Sequence, residues 1–240
     1  MKIALASAKF VNRNVSFNIS QIEQYMLRAK EQGADLVCFA EAFLQGFDAL
    51  DWNYETDKTM AVSIESDLFK SICKLTKTVG IDLLFGFIEC EGENLYSSCA
   101  LVGNGNLIHC YRRISRGWKE YTKTDAHYKE GTSVDVFQYR GRTCLIALCG
   151  DLWDAPEQFR KGQNILFWPV YVNFGIEEWH REFLAEYIEQ ASLAGSTVLM
   201  VNAISEKPDD EAFGGCYRFE NGAARAALPM GEKGLLVVEV

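Results

Sequence analysis

Apolar runs of strand length alternate along this chain with stretches where apolar residues return every three or four positions. Residues 2–8 form the first run. From Phe17, apolar residues recur at Ile19, Ile22, Met26 and Ala29, which predicts a helix, with polar caps at 12–16 and Gly33 as its stop. Residues 35–40 form a second apolar run, which ends at Glu41. Strand, helix and strand in that order predict a βαβ unit. Residues 48–63 read as a loop, 64–79 as a helix carrying Leu68, Ile72 and Leu75, and 81–88 as a buried strand. Two strands, 95–102 and 107–114, flank Gly103-Asn104-Gly105-Asn106, a hairpin turn. That turn is not a phosphate loop, because no G-x-G-x-x-G is completed and no helical pattern follows. Strands at 134–139 and 142–149, a short helix from Pro156, a strand at 164–170, a long amphipathic helix at 176–193 and a strand at 197–203 come next. The remainder reads as a looser tail with an apolar end at 234–240. The alternation places the chain in the α/β class. With no linker and no internal repeat, one domain over residues 1–240 is expected.

One of these runs stops abruptly at chemistry. Thr143-Cys144-Leu145-Ile146-Ala147-Leu148 is apolar, and Cys149-Gly150-Asp151 follows it directly. Ligands in α/β proteins sit at the carboxyl ends of strands. A cysteine there, with the backbone N–H groups of Gly150 and Asp151 beside it, has the makings of a nucleophile with an oxyanion hole. On residues alone a small packed core thiol is the competing reading. Residues 115–131 are polar and aromatic without a period, and a loop of that length in a compact domain is usually functional.

Composition narrows the class. The chain has 240 residues, 48% hydrophobic, enough for a sizeable core. Its formal net charge of −9 disfavours nucleic acid as a partner. Lys9 interrupts the first apolar run before it reaches signal-peptide length, and no run approaches a membrane span, so a soluble cytoplasmic protein is expected. The eight cysteines form no C-x-x-C pair and there are three histidines, which argues against a disulfide framework or a zinc site.

Several ordered blocks resemble the nitrilase, or carbon–nitrogen hydrolase, superfamily. Gly33-Ala34-Asp35-Leu36-Val37-Cys38-Phe39-Ala40-Glu41 is similar to the strand leading to that family's catalytic glutamate. Gly105-Asn106-Leu107-Ile108-His109-Cys110-Tyr111-Arg112-Arg113 is similar to the strand carrying its lysine, and Leu148-Cys149-Gly150-Asp151-Leu152-Trp153 to its nucleophile elbow. Glu189-Gln190, residues 198–202 and Phe213-Gly214-Gly215 resemble its closing blocks.

The resemblance implies a four-layer α-β-β-α sandwich, with Glu41 as general base and Cys149 as nucleophile. It implies no cofactor, a small linear amide as substrate, and a homodimer or larger assembly. The chain departs from the pattern at the lysine, where Arg113 stands. Arg113 is the positional match and Lys119, in the following loop, the chemical match. Arginine supplies charge and hydrogen bonds but does not readily transfer a proton. Glu120 is the candidate for a second glutamate, with Asp125 a competitor. The alternative to an amidase is a weakened or inactive binding module on the same fold. Trp118, Tyr121, Tyr128, Trp153 and Trp179, and secondarily Asn173 and Phe174, are candidates to line the pocket.

Overall fold

The computed structural model describes residues 1–195, 197–205 and 211–240. The first sheet grows from β1 (Lys2–Ser7), α1 (Val15–Glu31) and β2 (Leu36–Cys38). Asn14 caps α1 by accepting from Phe17 N, and Gly33, at φ +75°, turns the chain back toward the sheet. A short helix, α2 (Tyr54–Asp57), sits inside the expected 48–63 loop. α3 (Asp67–Leu75) starts at a Ser66 cap and continues into one wide turn, Thr76–Gly80. β3 (Asp82–Glu91), β4 (Asn94–Gly103) and β5 (Asn106–Arg112) complete the run.

The second sheet begins with β6 (Phe137–Tyr139) and β7 (Arg142–Ile146), followed by a one-turn helix α4 (Asp151–Asp154) and the 3-10 turn Pro156–Phe159. β8 (Ile165–Pro169) leads to the expected long helix. That helix is α5 (Ile176–Glu178), a wide turn Trp179–Phe183, and α6 (Leu184–Ala194). β9 (Thr197–Val201) follows, then the two-residue pair β10 (Ile204–Ser205) and β11 (Ala212–Phe213). The region read as a loose tail contains β12 (Cys216–Glu220), β13 (Ala223–Leu228) and β14 (Gly234–Glu239). β14 coincides with the expected apolar end, whereas β12 and β13 replace the expected loose tail; Cys216 to Glu220 runs into Asn221-Gly222, a hairpin turn signal.

The two six-stranded sheets have matching plans. Their orders are β14-β1-β2-β3-β4-β5 and β13-β12-β9-β8-β7-β6. In each, three parallel strands (β1, β2, β3 and β7, β8, β9) are extended by antiparallel neighbours. Ile3, Leu5, Leu36, Cys38 and Leu84 of the first sheet share one apolar cluster with Cys144, Ile146, Phe167 and Leu199 of the second. The alternate residues Ala4, Ala6, Val37, Leu83 and Phe85 pack instead with Ile22 and Met26 of α1 and Phe69 and Ile72 of α3. Period-two alternation with both faces buried explains why these strands read as continuous apolar runs. Tyr187 of α6 stacks on Trp168 of β8 at 5.1 Å, covering the far side of the second sheet. The result is the expected four-layer α-β-β-α sandwich. No helix among the described residues is long and apolar enough to cross a membrane.

Candidate active site

Two parallel strands, one from each sheet, deliver the first two candidate residues. β2 ends at Cys38. The chain stays pinned as Phe39 N donates to Leu84 O, and Gly86 N donates to Ala40 O. Glu41 follows, wholly buried, and Ala42 turns away at φ +49°. Gly86 of β3 lies flat against this turn: a Cβ there would come within 2.5 Å of Ala42 N and 2.7 Å of Glu41 Cα. In the second sheet, strand pairing continues past β7, with Ala147 N donating to Phe167 O and Cys149 N to Pro169 O. Cys149 then adopts φ +40°, a strained conformation for a residue with a side chain. Trp168 Nε1 donates to Cys149 O at 2.9 Å and fixes this turn.

Arg113 joins them. Its backbone N donates to Ser97 O, extending the β4–β5 pairing by one residue. Its side chain is 3% exposed, and Nη1 lies 2.9 Å from Glu41 Oε1. Ser97 Oγ donates to the same oxygen at 3.0 Å, and Arg113 Nε donates to Ser115 Oγ at 2.6 Å. Glu41 Oε2 is buried and has no hydrogen-bond partner among the described residues. Arg113 Nη2 lies against Gly150, where a Cβ would come within 2.5 Å of it.

The electrostatics follow from this packing. The Cys149 thiol is pushed up to about 12, by burial first and by the charge of Glu41 second, with Arg113 pulling it down. Burial works against the Arg113 guanidinium charge, but Glu41, Cys149 and Asp151 outweigh it and raise its pKa. Burial and Glu41 thus work against the Cys149 thiolate, and Arg113 favours it.

The sequence points to Asp151 only for its backbone N–H, which here donates to Leu148 O at 2.9 Å and so is not free for an oxyanion; its carboxylate carries the unexpected role. Asp151 is wholly buried, and its carboxylate accepts four hydrogen bonds. Oδ2 takes Leu148 N at 2.8 Å and Tyr111 Oη at 2.7 Å, and Oδ1 takes Ile114 N at 3.1 Å and Ser115 N at 2.8 Å. Burial raises its pKa, against the pull of those donors and of Arg113. The available signal was an acidic residue two positions past Cys149, at the end of an apolar strand, where an unpaired carboxylate would be costly.

Lys119 and Glu120 make their contacts with other groups. Lys119 Nζ donates to Tyr128 O at 2.5 Å, sits 2.9 Å from Glu130 Oε1 and faces the Tyr121 ring at 4.8 Å. Glu120 is exposed, and its backbone carbonyl accepts from Lys123 N and Thr124 N. The described contacts of neither reach Glu41 or Cys149. Asp125 is exposed too and pairs with His127. Of the aromatic candidates, Trp118 and Tyr128 are buried in a cluster with Ala42, next to Glu41. Tyr121 is half exposed, Trp153 packs on Tyr187, and Trp179 is buried against Tyr217. Phe174 stacks on Phe183 at 3.7 Å. Among the described residues, no three His, Cys, Asp or Glu side chains gather as metal ligands would.

Comparison with known proteins agrees with this architecture. The amidase from Nesterenkonia sp. AN1 superposes with a TM-score of 0.81 at 22% identity, covering 100% of this chain and 93% of that one. The glutamine-dependent NAD+ synthetase of Acinetobacter baumannii superposes at 0.80 and 19% identity, over 98% of this chain and 44% of that one. By sequence, the glutamine-dependent NAD(+) synthetase of Thermotoga maritima is 24% identical over 160 residues, 65% of this chain and 27% of that protein. A nitrilase of Pyrococcus abyssi is 27% identical over 164 residues, 64% of this chain and 58% of that protein. The chain thus spans about a quarter of the synthetase and just over half of the nitrilase. The family model for carbon-nitrogen hydrolases matches residues 2–155, the stretch from β1 through α4 that carries Glu41, Arg113 and Cys149. With more than half of its length matched, the chain belongs to the carbon-nitrogen hydrolase family.

Proposed function

We propose that this protein hydrolyses the carbon–nitrogen bond of a small linear amide, with Cys149 as nucleophile, Glu41 as general base and Arg113 as the fixed cation. The observation that carries this reading is the convergence of an unpartnered Glu41 Oε2, a buried Arg113 and the strained Cys149 at the ends of strands from two sheets. The amidase from Nesterenkonia sp. AN1 has been crystallised with acrylamide added at its active-site cysteine, which supports the same assignment here.

The proposed steps are these. Glu41 Oε2 takes the thiol proton as sulfur bonds to the amide carbon. The carbonyl electron pair moves onto oxygen. Arg113 Nη2 and the Gly150 backbone N–H, neither engaged by a described hydrogen bond, would hold that oxyanion. The tetrahedral adduct collapses, the C–N bond breaks, and Glu41 returns the proton to the departing nitrogen. A thioester on Cys149 remains. Glu41 then takes a proton from water, whose oxygen attacks the thioester. The C–S bond breaks and the sulfur recovers its proton. Arginine suits the charge-holding part of this scheme, and every proton transfer is left to Glu41.

The test is incubation with a panel of small amides, glutamine included, reading ammonia release and the mass of the intact protein. Ammonia release together with an acyl adduct on Cys149, both lost in Cys149→Ala, supports the hydrolase. A second reading, a binding module without turnover, draws on the ion pair itself: Arg113 pins Glu41 from one side. No ammonia from any amide, combined with turnover gained in Arg113→Lys, would move the function to that reading. Self-association belongs to the proposal as well. Trp153, Ile176 and Leu193 are large apolar residues exposed near α4 and α6, and sedimentation velocity would show whether copies pair.

A further inference from the structure

The site is assembled across two sheets that share packing but no common strand ladder. Arg113 extends β5 of one sheet, and Cys149 ends the strand of the other. Side-chain packing alone tolerates shifts of a fraction of an ångström, whereas reacting groups do not. One backbone bond crosses between the sheets at the site, from Glu41 N to Val170 O at 3.4 Å, but it does not reach Arg113, which needs a directional link of its own to the Cys149 strand.

We propose that Asp151 is the positioning residue that performs this, by clamping the backbone on both sides of Arg113 to the backbone before Cys149. The inference rests on the hydrolase reading above for its catalytic consequence, but its geometry stands apart from it. On the Arg113 side Asp151 holds Tyr111 Oη, Ile114 N and Ser115 N; on the Cys149 side it holds Leu148 N. Residues 111, 114 and 115 bracket Arg113, while 148 and 151 bracket Cys149. A relay continues from there. Ser115, fixed through its backbone N, presents Oγ to Arg113 Nε at 2.6 Å. The guanidinium is thereby aimed both at Glu41 and along Gly150. Asp151 itself does not touch a reacting atom in the scheme above, because both of its oxygens are spent on the clamp.

The carboxylate is the one group of this size that fits. All four partners are donors, two to each oxygen. In Asp151→Asn an NH2 at the Oδ1 position would face two backbone N–H donors, and at the Oδ2 position it would face Leu148 N even with the Tyr111 hydroxyl turned to accept, so either way the clamp loses its backbone hold on one side. Arg113 then drifts from the thiol, which loses its cation. A carboxylate acting only through its charge would do the reverse, since removing a negative group eases ionisation of the thiol.

The experiment is the rate of Cys149 alkylation by iodoacetamide between pH 7 and 9, with peptide mapping, in wild type, Asp151→Asn and Tyr111→Phe. Near-ultraviolet circular dichroism confirms folding. Positioning is expected to slow alkylation of folded Asp151→Asn about tenfold at a given pH, a factor of ten in thiolate being one pKa unit. A smaller slowing is expected in Tyr111→Phe, which removes one donor from the clamp. In the turnover assay kcat should fall about tenfold to a hundredfold with KM changed less than about threefold. Alkylation that is unchanged or faster in folded Asp151→Asn overturns the proposal. If Asp151→Asn does not fold, Tyr111→Phe decides by the same sign. Failure of the wild type to hydrolyse any amide would remove the hydrolase reading, and the alkylation comparison would still judge the clamp.

Discussion

The pKa of the cysteine proposed as nucleophile is raised by burial first and by the base that would activate it second. Burial and the Glu41 charge push it up to about 12. Across pH 7 to 10 its alkylation rate should therefore climb about tenfold per unit, with no plateau near neutrality. The sign of the Glu41→Gln effect follows. Removing a charge that raises the thiol pKa lowers it, so alkylation at pH 8 should speed up. Amide hydrolysis should drop by about 10²–10⁴-fold, because the proton acceptor is gone. Parallel loss of both would show that Glu41 merely supports the fold. Arg113 offers a separate measurement. Its ion pair with Glu41 is buried on both sides, so Arg113→Met leaves an uncompensated carboxylate and should cost about 3–5 kcal/mol in urea unfolding. Arg113→Met combined with Glu41→Gln should recover much of that loss, since no lone buried charge remains.

Elements matter because they present these residues at their ends. Both Glu41 and Cys149 stood out in the sequence because an apolar run broke off at a polar residue, and the structure places each just past a parallel strand. Their separation in the chain gave no hint that the two strands belong to facing sheets. Asp151 was legible only as an acidic residue just past an apolar strand, and its role was not: its four partners come from residues 111, 114, 115 and 148, and only the last is near in sequence. Lys119 illustrates the converse. Its residue type fitted the expected chemistry, but its loop turns it toward Tyr128 and Glu130. Gly86 is the element-level support for Glu41, and nothing in its own strand announced it. A Cβ on Gly86 would come within 2.5 Å of Ala42 N and 2.6 Å of Ala40 O, backbone atoms that cannot yield. Gly86→Ala should destabilise the fold by about 1–3 kcal/mol. It should also lower hydrolysis in the folded protein, because the Glu41 turn must move. Thermal unfolding and turnover measured on the same sample separate the two effects, and a folded variant with unchanged turnover would show that the close fit is incidental to the site.

At the scale of the molecule, the layering was legible only through the resemblance, since period and composition lead no further than the α/β class. Strand β13 escaped because Ala223 to Leu228 is mostly alanine, β12 because it is only five residues long, and β14 showed only as an apolar end without a partner. Yet β14 closes the first sheet. It pairs antiparallel with all six residues of β1, from Lys2↔Glu239 to Ser7↔Gly234, and Met1 N donates to Val240 O at the end of that ladder. Val238 enters the core between the sheets, while Leu235 and Val237 pack toward α1. Deleting residues 233–240 would strip β1, the strand that starts the parallel trio, of one neighbour and expose its edge. Each fully buried aliphatic side chain is worth about 1.5–3 kcal/mol, against a total stability of about 5–15 kcal/mol. Losing one such residue and its partly buried neighbours, together with a whole ladder, should consume most of that margin. The truncated chain is expected to lose its sharp urea transition, bind a hydrophobic dye at neutral pH and aggregate on warming. A truncated chain that unfolds cooperatively within a few degrees of the intact protein would mean that β14 only decorates the edge, and that five strands suffice to hold Glu41 in place.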